Sequence, residues 1–369
     1  MTDHRQTEPP NAVIAALCVD STALERFGSI MRHLCVGLVD QAIHVRLLSA
    51  DPRVEKLALG PIQTLVHQRI AWPAGKRRLD QLVEVLSHQP PTVVLGMSSA
   101  SYRTADTIAS ALDADLVFQV TSLADCDALG EFDADRIARY LVSSRPLVEI
   151  LETQLEIGDE HIELIRPGVL ARGEPTCFDV PGRVPTVLCT SQFRKDSGID
   201  RLIQAVGLLR DRKVEVLLFL LGQGPEEARL RRMVRARKLS ARIAFAHPLG
   251  DPARALVGAD IFVRPSADKT FFAGSLQAMA AGMAVVTLPN VATDHLRHNE
   301  TAFVCANSKP ATFADAIQQL VADREFARRM AVQAQEYVRT HHAMSKMGDL
   351  ASAVFRALNL SRTTLSIAR

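Results

Sequence analysis

The feature that most constrains this chain is a rhythm: short apolar runs alternate with amphipathic stretches of helical spacing, and the pattern is gone through twice. In the first half, AVIAALCV (Ala12 to Val19) is bounded by polar and proline residues and suits a strand buried on both faces. Asp20-Ser21-Thr22 can cap the next stretch, where Leu24, Phe27, Ile30, Met31, Leu34 and Leu38 recur at helical spacing. HVRLLS (His44 to Ser49), TVVLGM (Thr92 to Met97), DLVFQVT (Asp115 to Thr121) and YLVSS (Tyr140 to Ser144) repeat the strand pattern, with helices predicted near Leu79 to Leu86, Ala105 to Leu112 and Pro146 to Leu155. The second half restarts with PTVLCTS (Pro185 to Ser191), the amphipathic IDRLIQAVGLLRDR and the strongly apolar VEVLLFLLG (Val214 to Gly222). RIAFAH, ADIFVRP and MAVVTLP supply further strands. Such alternation predicts an α/β fold of parallel sheets with helices on both faces.

The 369 residues exceed one ordinary core and fit two domains of roughly 170 to 190 residues each. Between the halves, Arg166 to Pro185 holds four prolines and three glycines in twenty residues, a composition that suits a connector. The expected division is a disordered 1–11, a Rossmann-like domain over 12–172, a linker over 173–184, a second Rossmann-like domain over 185–344 and a terminal helix over 345–360. Ligands of doubly wound sheets bind beyond the carboxyl ends of the strands. The cleft between two such domains is therefore the expected site.

Composition excludes several classes. A net charge of +2 gives no global pull toward nucleic acid or membrane. Aromatics at 5%, with Trp72 the one tryptophan, do not supply stacking platforms for single strands. The basic run Glu226 to Lys238 spreads its arginines around several helical faces and reads as solvated surface. No apolar run approaches the ~20 residues of a membrane span. The six cysteines include no Cys-x-x-Cys pair, and Cys18, Cys35 and Cys189 sit in apolar runs as small buried hydrophobes. The first apolar stretch is only about eight residues and lacks the basic flank of a signal peptide, so a cytoplasmic location is expected. GQGPEE is a partial dinucleotide fingerprint; a complete phosphate loop and a Gly-x-Ser-x-Gly elbow are absent.

The stretch VRPSADKTFFAGSLQAMAAGMAVVTLP (Val263 to Pro289) carries the most specific signal. Pro265-Ser266 leaves a strand, Gly274-Ser275 opens a helix, and Ala278-Met279-Ala280-Ala281-Gly282 closes it before an apolar strand. This layout resembles the nucleotide-sugar site of retaining GT-B glycosyltransferases of the family 4 type. GQGPEEARL, the turn glycine Gly198 before IDRLIQAV, and ADIFVRPS extend the likeness through the second half, and SSRPLVEIL with HIELIRPGV carry it more weakly in the first. The resemblance implies two Rossmann-like domains, the first on the acceptor side and the second holding the nucleotide sugar, with the last helical stretch crossing back to the first.

The same resemblance implies a site in which several polar residues have been exchanged. The family's two glutamates fall on Lys269 and Gln277, and its arginine and lysine on Gln192 and Ser197. Arg194 and Lys195 lie between the last two and could serve the diphosphate instead, and Asp268 could stand in for Lys269. Gly274 and Ser275 would offer backbone N–H groups at a helix start to the phosphates. Gln277 can still accept one hydrogen bond and donate another to a ribose. The histidine that many members carry at the end of the fifth strand is replaced by Thr121; Asp125 and Asp127 nearby could coordinate or act as a base, but read rather as loop or cap residues. His295 and His298, three apart, could share a helical face but read as exposed polar surface, and no metal site is assigned.

Two functions follow from these residues. One is a retaining, metal-independent hexosyltransferase without cofactor, using a nucleotide diphosphate sugar and a glycan, lipid or small-molecule acceptor, with its catalytic residue unassigned. The other is a pseudo-glycosyltransferase that keeps the fold as a ligand-sensing or protein-binding scaffold.

Overall fold

The fold is given by a computed structural model, which describes residues 12–67, 74–171, 173–175, 177–247, 256, 258–267 and 270–367. The segment 1–11, expected to be disordered, lies outside the described residues. The chain forms two compact units, Met1–Gly168 with Met344–Arg369, and Val169–Ala343.

Unit 1 is built on β1 (Ile14–Val19), β2 (His44–Ser49), β3 (Gln63–Val66), β4 (Val93–Gly96), β5 (Asp115–Val120), β6 (Ile137–Val142) and β7 (Ile162–Leu164). They form one sheet in the order β3-β2-β1-β4-β5-β6-β7, and every pair is parallel. The helices between them are α1 (Ser21–Asp40), α2 (Ala74–Ser87), α3 (Tyr102–Ala111), α4 (Leu123–Leu129) and α5 (Arg145–Gln154). Asp20 caps α1, its side chain accepting from the backbone N–H groups of Thr22 and Ala23. The two unpredicted strands lie at the sheet edges: β3 exposes half its residues and β7 has three, so neither shows a buried run. The central strands are the buried apolar runs, with Leu17, Leu47, Leu95 and Phe118 sealed from solvent. Each such side chain contributes roughly 1.5–3 kcal/mol.

Unit 1 also takes the end of the chain, α11 (Met344–Ile367), which packs along α1. The two helices meet backbone to backbone: a Cβ on Gly37 would lie 2.8 Å from the Gly348 Cα, and the reverse holds equally. Two glycines inside helices cost about 1 kcal/mol each relative to alanine, which this close packing offsets. Gly348→Val should therefore lower the unfolding free energy by about 1–3 kcal/mol or more, read by urea denaturation; unchanged stability would show that this crossing does not form.

Unit 2 repeats the plan with β8 (Thr186–Thr190), β9 (Leu217–Leu221), β10 (Ile243–Ala246), β11 (Ile261–Arg264), β12 (Ala284–Thr287) and β13 (Phe303–Val304), in the order β10-β9-β8-β11-β12-β13. All described pairs are parallel, and the order is the doubly wound one. Its described helices are α6 (Ile199–Asp211), α7 (Glu227–Ala236), α8 (Ala273–Ala280), α9 (Pro310–Ala322) and α10 (Arg324–His341).

The described part of 173–184, expected to be a linker, packs onto unit 2 instead. Cys177 and Phe178 are buried in its core, with Arg324 over the Phe178 ring at 5.0 Å. The cause is Asp260, buried at the start of β11, whose carboxylate accepts from the N–H groups of Phe178 (2.8 Å) and Thr186 (2.7 Å), the Thr186 hydroxyl (2.9 Å) and Arg183 (2.8 Å). Proline and glycine content, averaged over the segment, conceals two core side chains. Among the described residues no helix is long and apolar enough to cross a membrane.

All six cysteines are buried and unpaired with one another, and burial pushes each thiol up to about 12. An aromatic disulfide reagent at pH 8 should leave the native protein unmodified and label all six thiols in denaturant. Rapid labelling of the native chain would contradict this packing.

Candidate functional site

The loops after β8, β9, β11 and β12 emerge at the carboxyl edge of the unit 2 sheet, the edge at which doubly wound sheets bind their ligands. Two glycines let these loops touch. Gly222 follows β9, and a Cβ there would lie 1.8 Å from the Ser191 carbonyl oxygen. Gly198, at φ +74°, precedes α6, and its Cβ would lie 2.3 Å from the Pro265 carbonyl oxygen. The β8 loop is then stitched to the β9 loop: Phe193 N–H donates to the Gln223 carbonyl (3.0 Å) and Glu226 N–H to that of Phe193 (2.9 Å). The Gly-x-Gly of GQGPEE thus serves loop packing, a Cβ on Gly224 falling 2.6 Å from the Phe193 carbonyl oxygen.

Four of the sequence-derived candidates share the β8 loop. Gln192 is half-buried, and its carbonyl accepts from Arg194 N–H (2.9 Å) and the Ser191 hydroxyl (3.1 Å). Arg194 and Lys195 are exposed. Ser197 is buried and closes the turn, its hydroxyl donating to the Arg194 carbonyl at 2.8 Å, so it is committed locally. Gly274 and Ser275 lie in the first turn of α8, which has no side-chain cap; Ser275 donates both its N–H and its hydroxyl to the Phe272 carbonyl at 3.3 Å. Gln277 is buried in the next turn. Asp268 and Lys269 lie outside the described residues.

Sequence reasoning passed over two residues here. Arg264, the last residue of β11, is buried; its Nη2 donates to the Thr270 carbonyl at 3.1 Å, and its guanidinium lies 5.0 Å from the centroid of the Phe272 ring. Asn290, beyond β12, donates to the same carbonyl at 2.8 Å. Phe272 in turn covers the start of α8: a Cβ on Gly274 would lie 2.4 Å from the Phe272 Cε1 and 2.9 Å from the Thr190 Oγ1 at the end of β8. The signal was available, since an arginine closing the apolar run of ADIFVRP is a charge at a position whose neighbours are core. A buried cation is tolerated only with such partners. Arg264→Ala should cost roughly 2–3 kcal/mol in chemical denaturation; a loss below about 0.5 kcal/mol, the range of surface substitutions, would remove Arg264 as the loop's anchor.

In unit 1, Thr121 ends β5 buried, donating its hydroxyl to Asp125 at 3.0 Å. The Asp125 carboxylate also accepts from the N–H groups of Ser99 (3.0 Å) and Thr121 (3.1 Å) and the Ser122 hydroxyl (2.8 Å). It is a clamp between the β4 and β5 loops, and Asp127 is exposed.

The pairing of His295 with His298 on a helical face is corrected. The segment is a string of turns, not a helix, because Thr301 bonds back to the His295 carbonyl (2.6 Å) and Arg297 N–H to the Thr301 hydroxyl (2.9 Å). His298 is exposed and accepts from Val304 N–H at 3.1 Å. His295 is buried beside His342, ring centroids 5.5 Å apart, with Asp294 alongside.

Residues 178–337 match the family model described as glycosyl transferases group 1. Over 160 residues the chain is 30% identical to the lipopolysaccharide core biosynthesis glycosyltransferase LpsE of Rhizobium meliloti, covering 43% of this chain and 46% of that protein. Over 186 residues it is 29% identical to a GDP-mannose-dependent alpha-(1-6)-phosphatidylinositol monomannoside mannosyltransferase of Mycobacterium tuberculosis, covering 47% and 48%. The matched segment thus spans about half the length of the curated relatives. Anabaena HepE, solved in complex with UDP, shares the fold with a TM-score of 0.72 at 13% identity, over 94% of this chain and all of that one.

Proposed function

We propose that this chain, which has the GT-B glycosyltransferase fold and carries a glycosyl transferases group 1 domain at residues 178–337, transfers a hexose from a nucleotide diphosphate sugar to a glycan, lipid or small-molecule acceptor. The observation that carries the reading is the carboxyl edge of unit 2, where an uncapped helix start and the exposed Arg194-Lys195 pair belong to loops held together by Gly198 and Gly222. As the bond from the anomeric carbon to the β-phosphate oxygen breaks, its electron pair goes to the leaving diphosphate, the acceptor hydroxyl oxygen bonds to the carbon from the same face, and the hydroxyl proton passes to the departing phosphate oxygen. Arg194, Lys195 and the first N–H groups of α8 neutralise the diphosphate charge, without a metal and with retention, as in the family this domain resembles. Gln277 hydrogen-bonds the ribose, and the resemblance assigns Asp268 and Lys269 to the sugar. One relative is GDP-mannose-dependent and one fold neighbour was solved with UDP, which sets the ligands to try.

A second reading rests on Phe272, whose ring lies against Gly274 where a diphosphate would approach α8. In that reading the fold is kept as a pseudo-glycosyltransferase, a ligand-sensing or protein-binding scaffold. Thermal-shift titration with UDP, GDP, ADP and their hexose conjugates separates the two. A nucleotide at ~100 times its dissociation constant stabilises by ~2.7 kcal/mol, and Arg194→Ala with Lys195→Ala should remove roughly 1.5–3 kcal/mol of that binding per charge. Donor-dependent transfer, lost in the double variant, is the expected result. Binding without turnover selects the second reading, and no shift with any nucleotide overturns the donor site.

A further inference from the structure

We infer that Asp294, His295 and His342 form a buried site for a divalent cation of the zinc type, separate from the proposed transfer chemistry. Each residue offers one ligand atom, and these atoms lie within 4.8 Å of one another. Both histidines are 1% exposed, and Nε2 of His295, Nε2 of His342 and Oδ1 of Asp294 are sealed from solvent. Two imidazoles with a carboxylate are a donor set of zinc and its borderline neighbours, leaving one coordination position for water.

The backbone fixes the three residues from two directions. Asp294 and His295 are adjacent in the loop after β12, where the His295 carbonyl accepts from the Thr301 hydroxyl and the Asp294 carbonyl from Arg297 Nε at 3.3 Å. His342 follows α10: its N–H donates to the Val338 carbonyl (2.8 Å) and its own carbonyl accepts from Val169 N–H (2.9 Å). Aromatic rings wall the site, Phe271 at 5.6 Å from His295 and Tyr337 at 5.9 Å from His342. Arg297 lies over the outer ring, Tyr337, at 5.0 Å.

A cation here staples the loop after β12 to the end of α10. It also braces the β11–α8 loop from behind, because Phe271 follows Thr270, the carbonyl that Arg264 and Asn290 share. Its role is structural, and it stands whichever function the carboxyl edge performs.

The test uses the full chain, stripped with a chelator and titrated with Zn²⁺ alone and, separately, with Co²⁺ alone. One equivalent of metal should bind, the Co²⁺ form should show ligand-field absorption of low coordination number, and saturating Zn²⁺ should raise Tm by roughly 5 °C. His342→Ala should weaken Zn²⁺ binding by roughly 100-fold, and His298→Ala, outside the ligand set, should leave Zn²⁺ binding unchanged. Should His342→Ala fail to fold, Asp294→Asn carries the same expectation. Absence of both the Co²⁺ absorption and the Zn²⁺ shift in the unaltered chain overturns the site, and so does a Zn²⁺ shift that survives in both ligand variants.

Discussion

The carboxyl edge of unit 2 depends on one buried cation. A guanidinium removed from water must be surrounded by acceptors or ring faces, and Arg264 meets that demand by drawing the Thr270 carbonyl and the Phe272 ring toward the end of β11. Those contacts fix the far end of the β11–α8 loop, and with it the point where α8 begins. Asn290 supports the same carbonyl from the next loop over, so a single backbone oxygen links two strand ends. The placement of Gly274 and Ser275, and the ring that lies against them, follows from this anchor.

Elsewhere, buried and half-buried carboxylates do the corresponding work by accepting several hydrogen bonds at once. Asp260 binds the 177–186 stretch to the amino edge of its sheet. Asp125 joins the β4 and β5 loops, and Asp20 both caps α1 and accepts from the Ser98 hydroxyl. Asp125 is satisfied by backbone and hydroxyl donors and Asp260 by these and the Arg183 guanidinium, which is how a carboxylate can sit in a core without a catalytic duty. This distinguishes Asp125, in the first turn of α4, from a general base.

The fold was legible in the sequence because its evidence is local. His44–Ser49 is a strand with the expected limits, and the runs at Thr92 to Met97 and Pro185 to Ser191 contain β4 and β8 within a residue or two. Where burial is one-sided or absent, as at β3, the periodic signal fades and the strand was missed. Glycine and proline content misled at 173–184, because composition counts residues and burial is decided by what they touch. At the site, the exchanges at Gln192, Ser197, Lys269 and Gln277 were readable one by one, but not what the new side chains bond to. Ser197 turns inward to the Arg194 carbonyl, a fact of the turn's shape.

The sequence by itself determined the two-sheet α/β architecture and the departures from the polar pattern of a nucleotide-sugar site, since alternation and motif identity are properties of neighbouring residues. Tertiary structure alone decided that Arg264 is an anchor, that Asp260 captures a proline-rich segment, and that His295 faces His342 and not His298. Those partners lie far apart along the chain or on separate elements. They meet only because strand order and loop packing bring them together, and no local period encodes that encounter.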